Sequence, residues 1–155
     1  MKLYVASSWR NGFQQTIVRQ LREAGHEVYD FRNPPGRTGF SWSAIQANWK
    51  NWTNRDYRSF LGHPIAIAGF DSDFDAMKDA DGCVLVLPSG RSAHIEAGYF
   101  VGAGKPIWIL LMDQQEPELM YKMATDICLS PEELLTLIGN YSAPPRTQRE
   151  TAVSS

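Results

Sequence analysis

Cysteine is nearly absent from this 155-residue chain: Cys83 and Cys128 are the only two, each inside an apolar run. That excludes a disulfide framework and a CxxC redox or zinc motif, and it predicts two buried thiols. The three histidines, His26, His63 and His94, show no ligand spacing with one another or with the cysteines, so no metal is predicted. Neither sign of charge dominates. Fifteen Lys plus Arg stand against seventeen Asp plus Glu, a net charge of −2, which is too little positive charge for binding a nucleic-acid polymer by phosphate neutralisation. Long apolar runs are missing too. The longest, Pro106 to Met112, falls far below the roughly 20 residues of a membrane span, and no basic stretch followed by an apolar one opens the chain. A cytoplasmic protein without a membrane partner is expected. There is no Gly-x-Ser-x-Gly elbow, no P-loop and no Gly-x-Gly-x-x-Gly, which disfavours triad hydrolases and nucleotide loops of those kinds.

What is present is the composition of one globular domain, with 43% hydrophobic and 21% charged residues. Lys2 to Ala6 is a β-prone run followed by a polar loop; Phe13, Ile17, Leu21 and Ala24 recur at helical spacing, and Gly25 stands where a left-handed cap would end the helix. Val28, Tyr29 and Phe31 complete a strand–helix–strand unit, which implies a parallel sheet with a right-handed crossover and an α/β fold. Residues 32 to 40 hold two Pro and two Gly and read as a long, mobile surface loop. Trp42, Ile45, Trp49 and Trp52 then fall along one helix face, and Thr53 with Asp56 predicts a capped new helix, so an aromatic helical insertion follows the second strand. A short helix over Asp71 to Ala80, a buried strand from Cys83 to Leu87, a helix from about Ser92 to Ala103 and a strand from Ile107 to Met112 continue the alternation. Ile127 to Leu129 and a last helix opened by Ser130-Pro131-Glu132-Glu133 close a domain over residues 1 to 139, with a flexible tail over 140 to 155.

The segment from Pro88 to Gly98 leaves a buried strand and enters a helix, the place where open α/β sheets bind ligands. Ser89, Gly90 and Ser92 open that helix with free main-chain N–H groups, and Arg91 adds a charge-assisted donor, so the loop suits an anion. Glu96, about one turn in, is a carboxylate that the helix dipole would keep ionised, as a nucleophile requires; the alternative is an idle, solvated Glu near a helix start. Five Asp between Asp71 and Gly82 first resemble a calcium loop, but Ala76 and Gly82 stand where Gly and a bidentate acid are needed, so calcium is rejected and Asp71 is expected to cap the helix. Ser8, Arg10 and Arg91, at two adjacent strand ends, point to a 5′-phosphate on the ligand.

With Lys2-Leu3-Tyr4-Val5-Ala6-Ser7-Ser8 on the first strand, Asp73 ahead of Ala80-Asp81, and Glu96-Ala97-Gly98 on the next helix, residues 1 to 112 resemble the nucleoside 2-deoxyribosyltransferase-like family, which includes deoxynucleoside 5′-monophosphate N-glycosidases and CMP hydrolases. The Trp-rich insertion lies outside the recognised pattern. The resemblance implies a flavodoxin-like, doubly wound parallel sheet of about five strands, a homodimer or higher homo-oligomer, no cofactor, and a nucleoside or nucleotide as the small-molecule partner. It also implies a Glu nucleophile, a helping Asp and a first-strand Tyr, which fall on Glu96, Asp73 and Tyr4. The expected reaction is cleavage of an N-glycosidic bond through a glycosyl-enzyme intermediate, by a transferase or an N-glycosidase. Two other functions stay open on the residues: a TIR-like NAD glycohydrolase, and a nucleotide-binding sensor module without turnover.

Overall fold

A computed structural model describes residues 1–144. Five parallel strands, β1 (Lys2–Ala6), β2 (Glu27–Asp30), β3 (Gly82–Val86), β4 (Ile107–Leu110) and β5 (Asp126–Cys128), lie in the order β2-β1-β3-β4-β5. That is the flavodoxin-like doubly wound order, with chain reversal between β1 and β3. Strand alternation sorts the side chains into two cores. Leu3, Val5, Val84, Val86, Trp108 and Leu110 pack on one face under α1 (Gln14–Glu23) and α5 (Pro131–Gly139). Tyr4, Ala6, Cys83, Leu85, Ile107 and Ile109 take the other face, under α3 (Pro64–Asp79) and α4 (Arg91–Gly102). The two cysteines are free and buried, as composition predicts. Gly25 and Gly104 follow the ends of α1 and α4 at φ +93 and +70, the left-handed caps that a side chain would disfavour.

Three local expectations are corrected. Trp42 to Trp52 is not one helix: two separate 3-10 turns, Trp42–Ala44 and Trp49–Asn51, precede α2 (Asn54–Phe60), because the rings pack against one another rather than along one helical face. Thr53 and Asp56 do form the predicted capping box of α2. Asp71 caps nothing, since α3 starts at Pro64 behind the His63 cap and runs 16 residues through it. The loop over residues 32 to 40 is tied down rather than loose: Arg32 donates to the carbonyls of Ser8, Trp9 and Asn11, Arg37 donates to Ala68 O at 2.6 Å, and Gly39 lies against the Trp9 ring.

Of the expected tail, residues 145–155 lie outside the described residues, while Tyr141 still packs edge-on to Trp108 at 5.3 Å. Among the described residues no helix is long and apolar enough to cross a membrane.

Lys105 Nζ donates to the carbonyls of Lys78 at 2.8 Å and Ala80 at 2.6 Å, closing the C-terminal end of α3. At the other sheet edge the buried Asp30 carboxylate accepts from Gln14, Gln15 and Asn33 side chains and from the Arg32 N–H. Burial alone would raise its pKa, but these donors outweigh it and hold Asp30 below the usual carboxylate range. The native state therefore binds the Asp30 proton more weakly than the unfolded chain. The resulting stability is present above the unfolded pKa of about 3.9 and is lost as pH falls through the lower native value. Asp30→Asn should cost about 1 to 3 kcal/mol at neutral pH and flatten the acid limb of a urea-midpoint against pH curve; an unchanged midpoint would remove Asp30 as the organiser of this edge.

Candidate active site

Two helices carry an acid where an apolar residue is expected. On α3 the buried positions are Ala66 and Met77, and Asp73, seven residues after one and four before the other, shares their stripe. On α4 the buried positions are Ala93, Ala97 and Phe100, and Glu96 lies among them at the same spacing. Both carboxylates are half-buried and both line one cleft between α3 and α4 at the sheet face bearing Tyr4.

The sheet supports them from below. Tyr4 on β1 and Tyr29 on β2 are register partners, so both rings leave on the same face and stack at 5.5 Å with 13° between planes. Tyr29 Oη donates to Asp73 Oδ1 at 2.8 Å and shares a bond with Ser72 Oγ at 2.9 Å. Tyr4 is fully buried; its hydroxyl makes no well-formed hydrogen bond and exerts only a small pull on Glu96 toward the ionised form. Burial, then the charges of Glu96 and Asp73, hold the Tyr4 hydroxyl protonated and far above its usual range.

Burial, then the neighbouring Asp73 charge, push the Glu96 carboxyl up to about 8. The expectation of a dipole-ionised Glu96 is thus corrected: it is the sixth residue of α4, beyond the first turn where the dipole acts, and desolvation dominates. Asp73 is also raised by burial, against the pull of its Tyr29 hydrogen bond and of the Arg37 charge. Both carboxyls are raised and Asp73 acts on Glu96, so below about pH 8 the pair holds one proton, which rests on Glu96.

The cleft has a volume of about 570 Å³ and is mostly apolar. Phe70, Phe74 and Tyr99 line its α3–α4 side, while Phe40, Trp42 and Tyr57 reach in from the insertion. A second cavity of about 380 Å³, lined by Arg37, Ser41 and Ser72, shares Asp73 and Phe40 with it.

Among the remaining residues singled out by sequence, Ser92 lines the cleft beside Glu96, whereas Ser8, Arg10, Ser89, Gly90 and Arg91 do not. Ser8 and Arg10 stand on the β1–α1 loop, Ser89 and Gly90 on the β3–α4 loop, and Arg91 is the first residue of α4; Asn11 joins the two loops by donating to Val86 O at 3.2 Å and Pro88 O at 3.1 Å. The Arg10 and Arg91 side chains are exposed, and Ser89 Oγ is buried without a hydrogen-bond partner. The other acids of the Asp-rich run disperse: Asp75 pairs with Lys78 at 2.7 Å and Asp79 with Lys2 at 2.9 Å. Among the described residues no group of three or more His, Cys, Asp or Glu is placed to hold a metal. Tyr29, Arg37 and the ring wall of the insertion were missed by sequence reasoning; the alternation Val28-Tyr29-Asp30 in parallel with Leu3-Tyr4-Val5 is the one signal that would have paired the two tyrosines.

No family model matches the chain, and no curated protein matches it. Solved structures do. A 2-deoxyribosyltransferase from Bacillus psychrosaccharolyticus is 19% identical, with 92% of this chain and 93% of that one covered and a TM-score of 0.60. A conserved protein from Enterococcus faecalis is 17% identical, with 90% and 97% covered and a TM-score of 0.60. A CMP N-glycosidase from Clostridium botulinum is 17% identical, with 90% and 99% covered and a TM-score of 0.48. Over nearly its whole length, the chain has the fold of a nucleoside 2-deoxyribosyltransferase-like protein.

Proposed function

We propose that this protein cleaves the N-glycosidic bond of a nucleoside or nucleotide, with Glu96 as nucleophile and Asp73 as proton donor to the leaving base. The observation that supports it most is the pair itself: two acids from two helices, desolvated in one cleft and coupled through a raised pKa, on a fold shared with a 2-deoxyribosyltransferase. The productive form of the pair carries one proton, which rests on Glu96 below about pH 8 and moves to Asp73 to leave Glu96 ionised for attack. A Glu96 oxygen attacks C1′ while the C1′–N bond breaks, and its electron pair leaves with the base, which takes the Asp73 proton. Water, or a second base, then attacks C1′ and frees Glu96, and the proton lost by the incoming nucleophile returns to Asp73. Tyr4 stabilises ionised Glu96, and Tyr29 orients the Asp73 carboxyl. Arg10 on the β1–α1 loop and Arg91 at the start of α4 bind a 5′-phosphate.

Incubation with deoxynucleosides and their 5′-monophosphates, followed by chromatography for released base, tests the reaction. Glu96→Gln should fold normally and lose at least about 10³-fold in activity; more than a tenth of wild-type turnover would remove Glu96 as nucleophile. Asp73→Asn should lose less, and least for bases that leave without protonation. Because the productive pair holds one proton, kcat/KM should decline as pH rises past about 8, and that limb should vanish for the same easy leaving groups. A limb that persists for every leaving group would assign it elsewhere.

Arg10→Ala and Arg91→Ala should each lower kcat/KM by about 1.5 to 3 kcal/mol toward the nucleotide and hardly at all toward the nucleoside. Equal loss for both substrates would overturn the phosphate assignment.

A further inference from the structure

We propose that the Trp-rich insertion is the wall that selects the leaving group, and that it selects a large flat heteroaromatic ring of the purine class. This rests on the glycosidic activity proposed above. Trp42 lines the cleft that holds Asp73 and Glu96. It is braced by Phe40 edge-on at 4.7 Å, by Trp52 at 5.7 Å and by Tyr57 at 5.7 Å. Trp52 is fixed in turn, stacked on Phe60 at 4.4 Å and donating Nε1 to Gln46 Oε1 at 2.8 Å. The bracket is seated on the helix that bears Asp73: a Cβ on Gly69 would stand 3.0 Å from the Phe40 ring, tighter than ordinary contact, so glycine lets that ring lie this close to α3 without displacement.

The α3–α4 side of the cleft is also aromatic. Phe70 stacks on Phe74 at 5.2 Å, and Phe74 meets Tyr99 at 5.3 Å. A base beside Asp73 therefore has rings of the insertion and rings of α3 and α4 around it, and the charged groups of the lining are the two carboxylates alone. Such a chamber reads ring area rather than a hydrogen-bonding edge. Stacking rewards a bicyclic base over a monocyclic one, and about 570 Å³ lies within the range that holds a whole small ligand.

Calorimetry of adenine and hypoxanthine against cytosine and thymine, on wild type, Trp42→Ala and Trp42→Phe, tests the wall without turnover. The matching deoxynucleosides give kcat and KM. Purines should bind at least about tenfold more tightly than pyrimidines. Trp42→Ala should erase that preference through KM with kcat nearly unchanged, and Trp42→Phe should keep most of it. Equal binding of the two base classes, or a preference that survives Trp42→Ala, overturns the proposal. If Trp42→Ala does not fold by circular dichroism, Tyr57→Ala replaces it, with a loss of about threefold in preference expected and an unchanged preference counting against the wall. Trp42-dependent purine binding with no base released from any substrate would instead sink the glycosidic activity and leave the chamber assignment standing.

Discussion

The cleft depends on one constraint, the strict alternation of side chains along a strand buried on both faces. β1 lies between β2 and β3, so each of its residues must serve one core or the other: Leu3 and Val5 go to the α1–α5 side, Tyr4 and Ala6 to the α3–α4 side. The same parity brings Tyr29 out beside Tyr4. A slip of one residue would send both tyrosines to the wrong core and leave Asp73 and Glu96 without their supports. Nothing in the cleft itself enforces this. The apolar burial of the two cores does, at several kcal/mol for such large side chains.

Against that framework the two acids are a local violation. A carboxylate in the apolar stripe of a helix resists ionisation, and a second one across the cleft raises the cost further. Glu96 shows the result in its raised pKa. The fold tolerates it because the remaining stripe is apolar and buried, Ala93, Ala97 and Phe100 on α4 and Met77 on α3. The hydroxyls of Tyr4 and Tyr29 offset part of the desolvation. A destabilised, coupled pair of this kind is the pattern expected where chemistry rather than stability set the residue.

The insertion is built on a different principle. Its elements are short turns and a two-turn helix with no buried residue of their own, held by ring-on-ring contacts and by the Phe40–Gly69 approach. The loop before it is drawn to the β1–α1 loop by Arg32, which also lies over the Trp9 ring at 5.5 Å. The outcome is a second wall attached to the doubly wound core without altering its sheet order.

Much of the framework was legible in the residues. Strand–helix alternation, the Gly25 cap, the Thr53–Asp56 box and the buried thiols follow from local propensity and period, and those signals act over a few residues. Asp73 and Tyr4 were named through resemblance and Glu96 already from its place one turn into the helix after a buried strand, and both acids carry a local mark, an acid written into an apolar stripe. What the residues could not show is anything that needs two segments at once. The α3 start at Pro64 was hidden by an apolar run without clear period, and the four-ring packing of the insertion overrode a helical spacing that looked sound. The proton balance of Glu96 reversed because burial, a property of the folded chain, outweighs a dipole that fades within one turn. Sequence by itself determined the element types and the two stripes. Only the tertiary structure decided that the stripes face each other over the stacked tyrosines, because that meeting is made by sheet register and long-range packing, which no local pattern contains.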